Sequence, residues 1–293
     1  MVKKIYALIF LMLCGALFAS CEIDYAGLFY SEELDERLTQ ADSFPYLDGH
    51  GWRTLDIGSA SYSFLFITDV HVAEDDSSGF ENLKNLKKRF IASDRFVVAG
   101  GDLTQSGTRN EIALFIQATE TWHRVDSAGA AVAESMPCYM VIGNHDIFFG
   151  NWSVWKELVG STRYRIDTRS DDAGGATLLV LDTANAYFGS NQLDWLDAQL
   201  KRAQPNTFIF AHGTLFVNEN PFANKKSIPL HERARIVSLI DSSPAKAYFA
   251  GHLHQRVIKE IQNKQYITLE DFRSHQNFVR VFVSPAGVSY SYF

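Results

Sequence analysis

The chain has 293 residues, enough for one large α/β domain or two small ones, and its 46% hydrophobic and 21% charged composition suits a sizeable globular core. Its formal net charge of −7 disfavours a general affinity for nucleic-acid backbones, which takes a net basic face, so no stable nucleic-acid partner is expected. A bound metal would still make a pocket locally positive, so an anionic small-molecule substrate is compatible with that charge.

In chain order, residues 1–20 read as a signal peptide. Lys3 and Lys4 form a short basic start, Ile5 to Phe18 is almost unbroken apolar sequence, and Ala19 and Ser20 are small, as a cleavage site requires. The apolar run is too short for a comfortable transmembrane span. Leu17-Phe18-Ala19-Ser20-Cys21 resembles a bacterial lipobox, with Phe18 where that pattern prefers Leu. The resemblance implies that Cys21 becomes the lipid-modified first residue of the mature chain; the rival is a plain secretory signal followed by a coincidental Cys. The expected address is therefore outside the cytoplasm, on the periplasmic or surface-facing side of a bacterial membrane, with membrane contact through the lipid only. Cys14 leaves with the signal, so Cys138 is the lone thiol of the mature domain and reads as a small buried hydrophobe. No disulfide framework is expected. Loss of Lys3 and Lys4 takes the formal charge from −7 to −9.

Residues 21–60 read as a lipid-anchored tether and lead-in. Ser31 to Ala41 predicts a short helix with Leu34, Leu38 and Ala41 on one side, and Gly49, Gly51 and Gly58 then punctuate a loop. From Phe64 strands and helices alternate. Phe64–Ile67, Phe96–Ala99, Tyr139–Ile142, Leu178–Leu181, Phe208–Phe210 and Tyr248–Ala250 are continuous apolar runs, the pattern of strands buried on both faces. Between them Phe80/Leu83/Leu86/Phe90, Ile112/Phe115/Ile116/Thr119 and Leu193/Leu196/Leu200 recur at helical spacing, and Leu230 to Ile240 predicts a further helix. After His254, Val257-Ile258, Tyr266–Leu269, Phe278–Val283 and Val288–Phe293 predict strands whose antiparallel pairing closes a second sheet. Residues 61–293 are expected to form one domain.

Five motifs each follow directly on one of those apolar runs: Asp69-Val70-His71, Gly101-Asp102, Gly143-Asn144-His145-Asp146, Ala211-His212-Gly213 and Gly251-His252-Leu253-His254. Ligands of open α/β sheets bind outside the carboxyl ends of the strands, where Asp69, Asp102, Asn144, Asp182, His212 and His252 all fall. Asp, His and Asn together are the oxygen and nitrogen donors that divalent metals take. A carboxylate shared by two dications offsets their repulsion, imidazoles add donors without charge, and Asn144 offers a neutral amide oxygen. Taken singly, each of these residues is more often a helix cap, a turn or an ordinary half-buried His; the ordered series is what carries the reading. His50, His123 and His275 lie outside the motifs and are read as bystanders, while His231, after the 218–226 loop, is a candidate for the pocket border.

The series resembles the calcineurin-like metallophosphoesterase superfamily, whose pattern is D-x-H, G-D, G-N-H-[DE], H and G-H-x-H, and it spans residues 69–254. The resemblance implies a four-layer α/β/β/α sandwich of two mixed β-sheets with flanking helices. It further implies two divalent or trivalent ions: one held by Asp69, His71, Asp102 and His254, the other by Asn144, His212, His252 and again Asp102. Mn, Fe and Zn all suit such donors. Two metals clamp an in-line displacement and lower the pKa of a bridging water, so a metal-bridging hydroxide is the expected nucleophile. His145 is the candidate to protonate the leaving oxygen or to steady the phosphoryl oxygens, and Asp146 the candidate to orient its ring.

Protein serine/threonine phosphatases of this superfamily continue the second motif as G-D-x-V-D-R-G, whereas Gly101-Asp102-Leu103-Thr104-Gln105-Ser106-Gly107 has no arginine to grip a phosphoprotein. Gly-Asp-Leu-Thr, Leu181-Asp182-Thr183 and Gln192–Leu196 look more like the bacterial cyclic-nucleotide phosphodiesterase branch. The expected activity is metal-dependent hydrolysis of a phosphodiester or phosphomonoester, on a small molecule or a lipid headgroup. A metal-dependent nuclease and a non-catalytic surface-binding lipoprotein on the same fold are the alternatives.

Overall fold

Side chains alternate across each strand, so the continuous apolar runs carry two buried faces and each face needs its own cover. The structure, a computed structural model, describes residues 34–42, 52–170, 175–217 and 228–293. The signal segment, Cys21, His50 and the 218–226 loop lie outside the described residues.

The chain opens with α1 (Leu34–Ala41), β1 (Trp52–Asp56), β2 (Tyr62–Ile67), α2 (Ser78–Asn85) and β3 (Asp94–Gly100). It continues through α3 (Arg109–Glu120), the hairpin β4 (His123–Val125) and β5 (Ala131–Ser135), β6 (Cys138–Val141) and α4 (Trp152–Leu158). Next come β7 (Tyr164–Arg169), β8 (Ala176–Val180), α5 (Ser190–Leu200), β9 (Asn206–Phe210), α6 (Leu230–Asp241) and β10 (Ala245–Ala250). The last stretch holds β11 (Val257–Ile261), β12 (Lys264–Thr268), the short α7 (Phe272–His275), β13 (Val279–Ser284) and β14 (Gly287–Tyr292). Helix α3 starts where a capping box dictates: the Thr108 side chain accepts from the Glu111 amide, and the Glu111 side chain accepts from the Thr108 amide.

Two mixed sheets result, ordered β1-β7-β8-β9-β10-β12-β11 and β14-β13-β2-β3-β6. Their inner faces share one core. Phe64 stacks on Phe96 of its own sheet (4.8 Å) and meets Phe208 of the other sheet edge-on (5.2 Å). Neighbouring residues point the other way: Leu65, Ile67, Val97 and Ala99 pack under α2, α3 and α4, while Leu179, Ile209 and Tyr248 pack under α5 and α6. The layers are therefore helix, five-stranded sheet, seven-stranded sheet, helix, as expected. Each large side chain fully buried in these cores contributes about 1.5–3 kcal/mol.

The C-terminal strands pair antiparallel as expected and complete the smaller sheet, but they are divided between both sheets. Strand β12 pairs parallel with β10 and antiparallel with β11, extending the larger sheet, while β13 pairs antiparallel with β2 and β14 in the smaller one. Alternation identifies a strand but not the free edge it joins. Strand β7 is another departure: four of the six residues of YRIDTR are polar, and Arg165 is buried because Asp167 and the Arg202 carbonyl accept its guanidinium protons.

The segment expected to be a lead-in is partly built into the domain. Strand β1 pairs with β7, and α1 buries Arg37 together with Leu34, Leu38 and Ala41. Arg37 makes a two-pronged ion pair with Asp182 (2.7 and 2.9 Å) and also donates to Asn185 (2.6 Å), with both charged side chains sealed from solvent. Removing one member of such a pair strands the other charge in the interior. Arg37→Ala should therefore cost about 3–5 kcal/mol in urea denaturation, and a loss under 1 kcal/mol would show that α1 merely rests on the surface.

Candidate metal centre

The carboxyl ends of β2, β3 and β6 in one sheet and of β9 and β10 in the other deliver all five motifs to one place. Asp69, His71, Asp102 and His254 bring one donor atom each within 4.8 Å of one another, and so do Asp102, His212 and His252. Asp102 belongs to both groups. Within the first, His254 Nε2 lies 3.2 Å from both Asp69 Oδ1 and His71 Nε2. Within the second, His212 Nε2 lies 3.1 Å from Asp102 Oδ2 and 3.3 Å from His252 Nδ1. Two pairs of imidazole nitrogens facing each other at hydrogen-bond distance, each beside a carboxylate, is the donor chemistry of a cation site. Asn144 adds an independent sign: its Oδ1 is buried and meets no hydrogen-bond donor. An unpaired buried amide oxygen costs about 1–3 kcal/mol unless something electropositive meets it. The residues present thus fit bound metal.

The backbone is bent to make this convergence. Asp69 (φ 54°), His71 (47°), Asp102 (49°), His252 (73°) and His254 (53°) all sit in the left-handed region, half of the ten non-glycine residues that do so among the described residues. Each costs about 1–2 kcal/mol for an L-residue, least for Asp and Asn. Glycines then allow the loops to nest. A Cβ on Gly143 would lie 2.1 Å from the Asp102 nitrogen, and one on Gly251 would lie 1.9 Å from Thr68 Oγ1 and 2.3 Å from Asp69 Oδ2.

Hydrogen bonds behind the donors fix their orientation. His212 Nδ1 donates to the Gly100 carbonyl (3.0 Å), which leaves Nε2 as the atom facing the site. Thr68 Oγ1 donates to Asp69 (2.7 Å), and the His252 amide does so from the opposite sheet (3.0 Å). The His145 amide donates to Asp102 Oδ1 (2.8 Å). Burial pushes His71 down to about 4 against the pull of Asp102 and Asp69, so its ring is a neutral donor with a lone pair to give. For His212 burial acts downward as well, but the Asp102 charge and hydrogen bond win and lift it to about 10. Asp102 is held below the usual carboxylate range: burial raises it, and the His212 ring outweighs that.

The expected pairing of Asp146 with His145 is not what the structure contains. Asp146 is completely buried and is occupied elsewhere, accepting from the amides of Gly143 (2.8 Å), Thr104 (2.9 Å) and Leu103 (3.3 Å) and from Thr104 Oγ1 (2.8 Å). It clasps the second motif to the third. Burial, then the Asp102 charge, push its carboxyl up to about 7 although the bonds from Gly143 and Thr104 act against them. The ring of His145 is held instead by the Gln105 carbonyl at Nδ1 (2.7 Å), with Phe148 packed on its face at 4.2 Å. Gln105 acts through its main chain, which leaves no mark in a sequence. Asp182, grouped with the strand-end residues, is consumed by Arg37 and joins neither donor cluster. His231 is exposed in the first turn of α6, His123 is exposed on the β4–β5 hairpin, and the exposed His275 pairs with Asp271 (3.0 Å). Cys138 is partly covered and its thiol is pushed above its ordinary value by burial.

A four-layer sandwich with these donors at its strand ends defines a metal-dependent phosphoesterase. The chain belongs to the calcineurin-like phosphoesterase family, whose model matches residues 62–256. It is 21% identical over 217 residues to a probable cyclic nucleotide phosphodiesterase of Fibrobacter succinogenes, covering 69% of this chain and 77% of the relative. It is 23% identical over 222 residues to a 3',5'-cyclic-nucleotide phosphodiesterase of Nostoc, covering 70% and 76%. Among solved structures it resembles a dimetal phosphatase from Danio rerio (TM-score 0.53, 16% identity, 76% of this chain and 93% of that one). It also resembles the anchor protein of the Plasmodium inner membrane complex (TM-score 0.59, 13% identity, 80% and 84%). At such identities these structures speak for the fold alone.

Proposed function

We propose that the protein hydrolyses small-molecule or headgroup phosphodiesters with two bound metal ions. Asp69, His71, Asp102 and His254 would hold one ion, and Asp102, Asn144, His212 and His252 the other. The observation that carries this reading is the membership of Asp102 in both donor clusters. When bound, the metal pair supplies an activated water and neutralises charge on the phosphoryl oxygens. The names of the two bacterial relatives favour a diester over a monoester. Metal analysis with a phosphoester panel tests the reading: about two equivalents of metal per chain and faster cleavage of aryl or cyclic diesters than of monoesters are expected. A fully loaded protein with one equivalent, or one inert to every phosphoester, would overturn it.

His145 takes the proton-donor role. With Nδ1 committed to the Gln105 carbonyl, its Nε2 is left toward the site, 4.0 Å from Asp102 Oδ2. Nδ1 keeps its own proton on the Gln105 carbonyl, so the donor is the doubly protonated ring: as the P–O bond breaks, its second proton, on Nε2, passes to the leaving oxygen. General acid catalysis of this kind contributes about 10²–10⁴-fold. His145→Ala should lower kcat within that range and keep its full metal content; loss of metal would make His145 a ligand instead.

The N-terminal features support export and lipid attachment at Cys21, which would present the site to extracytoplasmic phosphoesters. Incorporation of labelled palmitate into the wild-type chain, and none into Cys21→Ser, is the expected result in cells. Equal labelling of both chains would remove the anchor.

A further inference from the structure

Arg273, in α7 just beyond the end of β12, is drawn to the metal centre because β12 runs parallel to β10, whose end carries His252 and His254. Its guanidinium reaches three anchors: Nη2 pairs with Asp76, Nε donates to Ser78 Oγ (3.2 Å), and Nη1 donates to Gln105 Oε1 (3.2 Å). Its own amide donates to the Asp69 carbonyl (3.3 Å), and its carbonyl accepts from Asn82 (2.7 Å). Gln105 is pinned at its other end by its amide, which donates to the Val72 carbonyl (2.9 Å). Between those two fixings lies the Gln105 carbonyl that holds His145 Nδ1.

We propose that Arg273 is a positioning residue for His145, acting through Gln105. The planar guanidinium fork bridges Asp76 and Gln105 at once, a geometry that a lysine cannot supply. It fixes where the Gln105 carbonyl stands, and the carbonyl fixes the ring so that Nε2 faces the leaving oxygen. The proposal rests on the proton-donor reading of His145. In the step concerned, the electron pair of the P–O bond stays with the leaving oxygen, which takes the Nε2 proton; the attacking water supplies the new oxygen on phosphorus and releases its own proton to solvent, from which the ring is reprotonated.

A leaving group that is stable as an anion needs little help from a proton donor, whereas an alkoxide needs much. The test compares the metal-loaded full chain and its variants on two diesters, one releasing 4-nitrophenolate and one releasing a simple alkanol. Arg273→Ala should slow the alkyl ester about 10-fold more than the nitrophenyl ester, the scale of an outer hydrogen-bonding partner, with metal content unchanged. Arg273→Lys should behave like Arg273→Ala. Gln105→Ala keeps the carbonyl but loses its tie to Arg273, so it should show the same preference, and the double variant should be no worse than Arg273→Ala alone. Equal slowing of both esters by Arg273→Ala, while His145→Ala still discriminates between them, would reduce Arg273 to a strap between helices and overturn the proposal. A His145→Ala variant with no leaving-group preference would remove the proton-donor reading itself and the proposal with it. Should Arg273→Ala fail to fold, Gln105→Ala decides alone.

Discussion

Asp102→Asn is expected to lower kcat on any phosphodiester by at least about a thousandfold, equivalent to about 4 kcal/mol of transition-state stabilisation. Three observations make this substitution informative. Asp102 is the one residue in both donor clusters, it is 2% exposed, and it sits at φ 49°. Asn has the same size and tolerates the left-handed backbone almost as well as Asp, so the loop and the fold should persist. What disappears is the negative charge that two neighbouring cations would share. Metal content measured alongside kcat should fall, while circular dichroism stays unchanged. A variant that keeps a tenth of the activity would show that the centre does not depend on a shared carboxylate.

The second large effect concerns stability. Asp146→Ala removes the acceptor for the buried amides of Gly143, Leu103 and Thr104 and for the Thr104 hydroxyl. A buried donor left without a partner costs about 1–3 kcal/mol, and the losses are not additive because the donors share one loop junction. A total of about 3–5 kcal/mol is expected, which lowers Tm by roughly 10 °C in a domain of this size. Urea denaturation of the variant measures it directly. The alternative of a ring-orienting Asp146 predicts the reverse pattern, with turnover lost and stability kept.

The contrast between His145 and Asp146 shows what the sequence could and could not carry. The positions of Asp69, Asp102, Asn144, His212 and His252 were legible because each follows an apolar run, and strands buried on both faces end where such runs end. Adjacency in sequence suggests contact between Asp146 and His145 that the fold does not make. In the 3₁₀ turn His145–Gly150, successive side chains leave in directions about 120° apart, so neighbours in the chain face different surroundings. Gln105 was invisible for another reason: its useful atom is a backbone carbonyl, which every residue has. Arg37 lay on the same helical face as Leu34, Leu38 and Ala41, but a charge on a buried face becomes intelligible only with its distant counter-charge, Asp182. The C-terminal strands were recognisable as strands, yet their placement depended on which sheet edges the earlier chain had left open.

Those edges bear on the smallest piece of chain that can stand alone. The family match covers residues 62–256, but a polypeptide cut to that span would lack β12 from the side of β10 and β13 from the side of β2. Both sheets would then present unpaired backbone along β10 (AKAYFA) and β2 (YSFLFI), the condition under which chains add to one another edge to edge. Val279, Val281 and Val283 would leave the shared core, and Asp182 would be buried without Arg37. The recognisable motif region is thus shorter than the unit that folds, and the residues on either side of it are what cover the sheet edges that would otherwise nucleate aggregation.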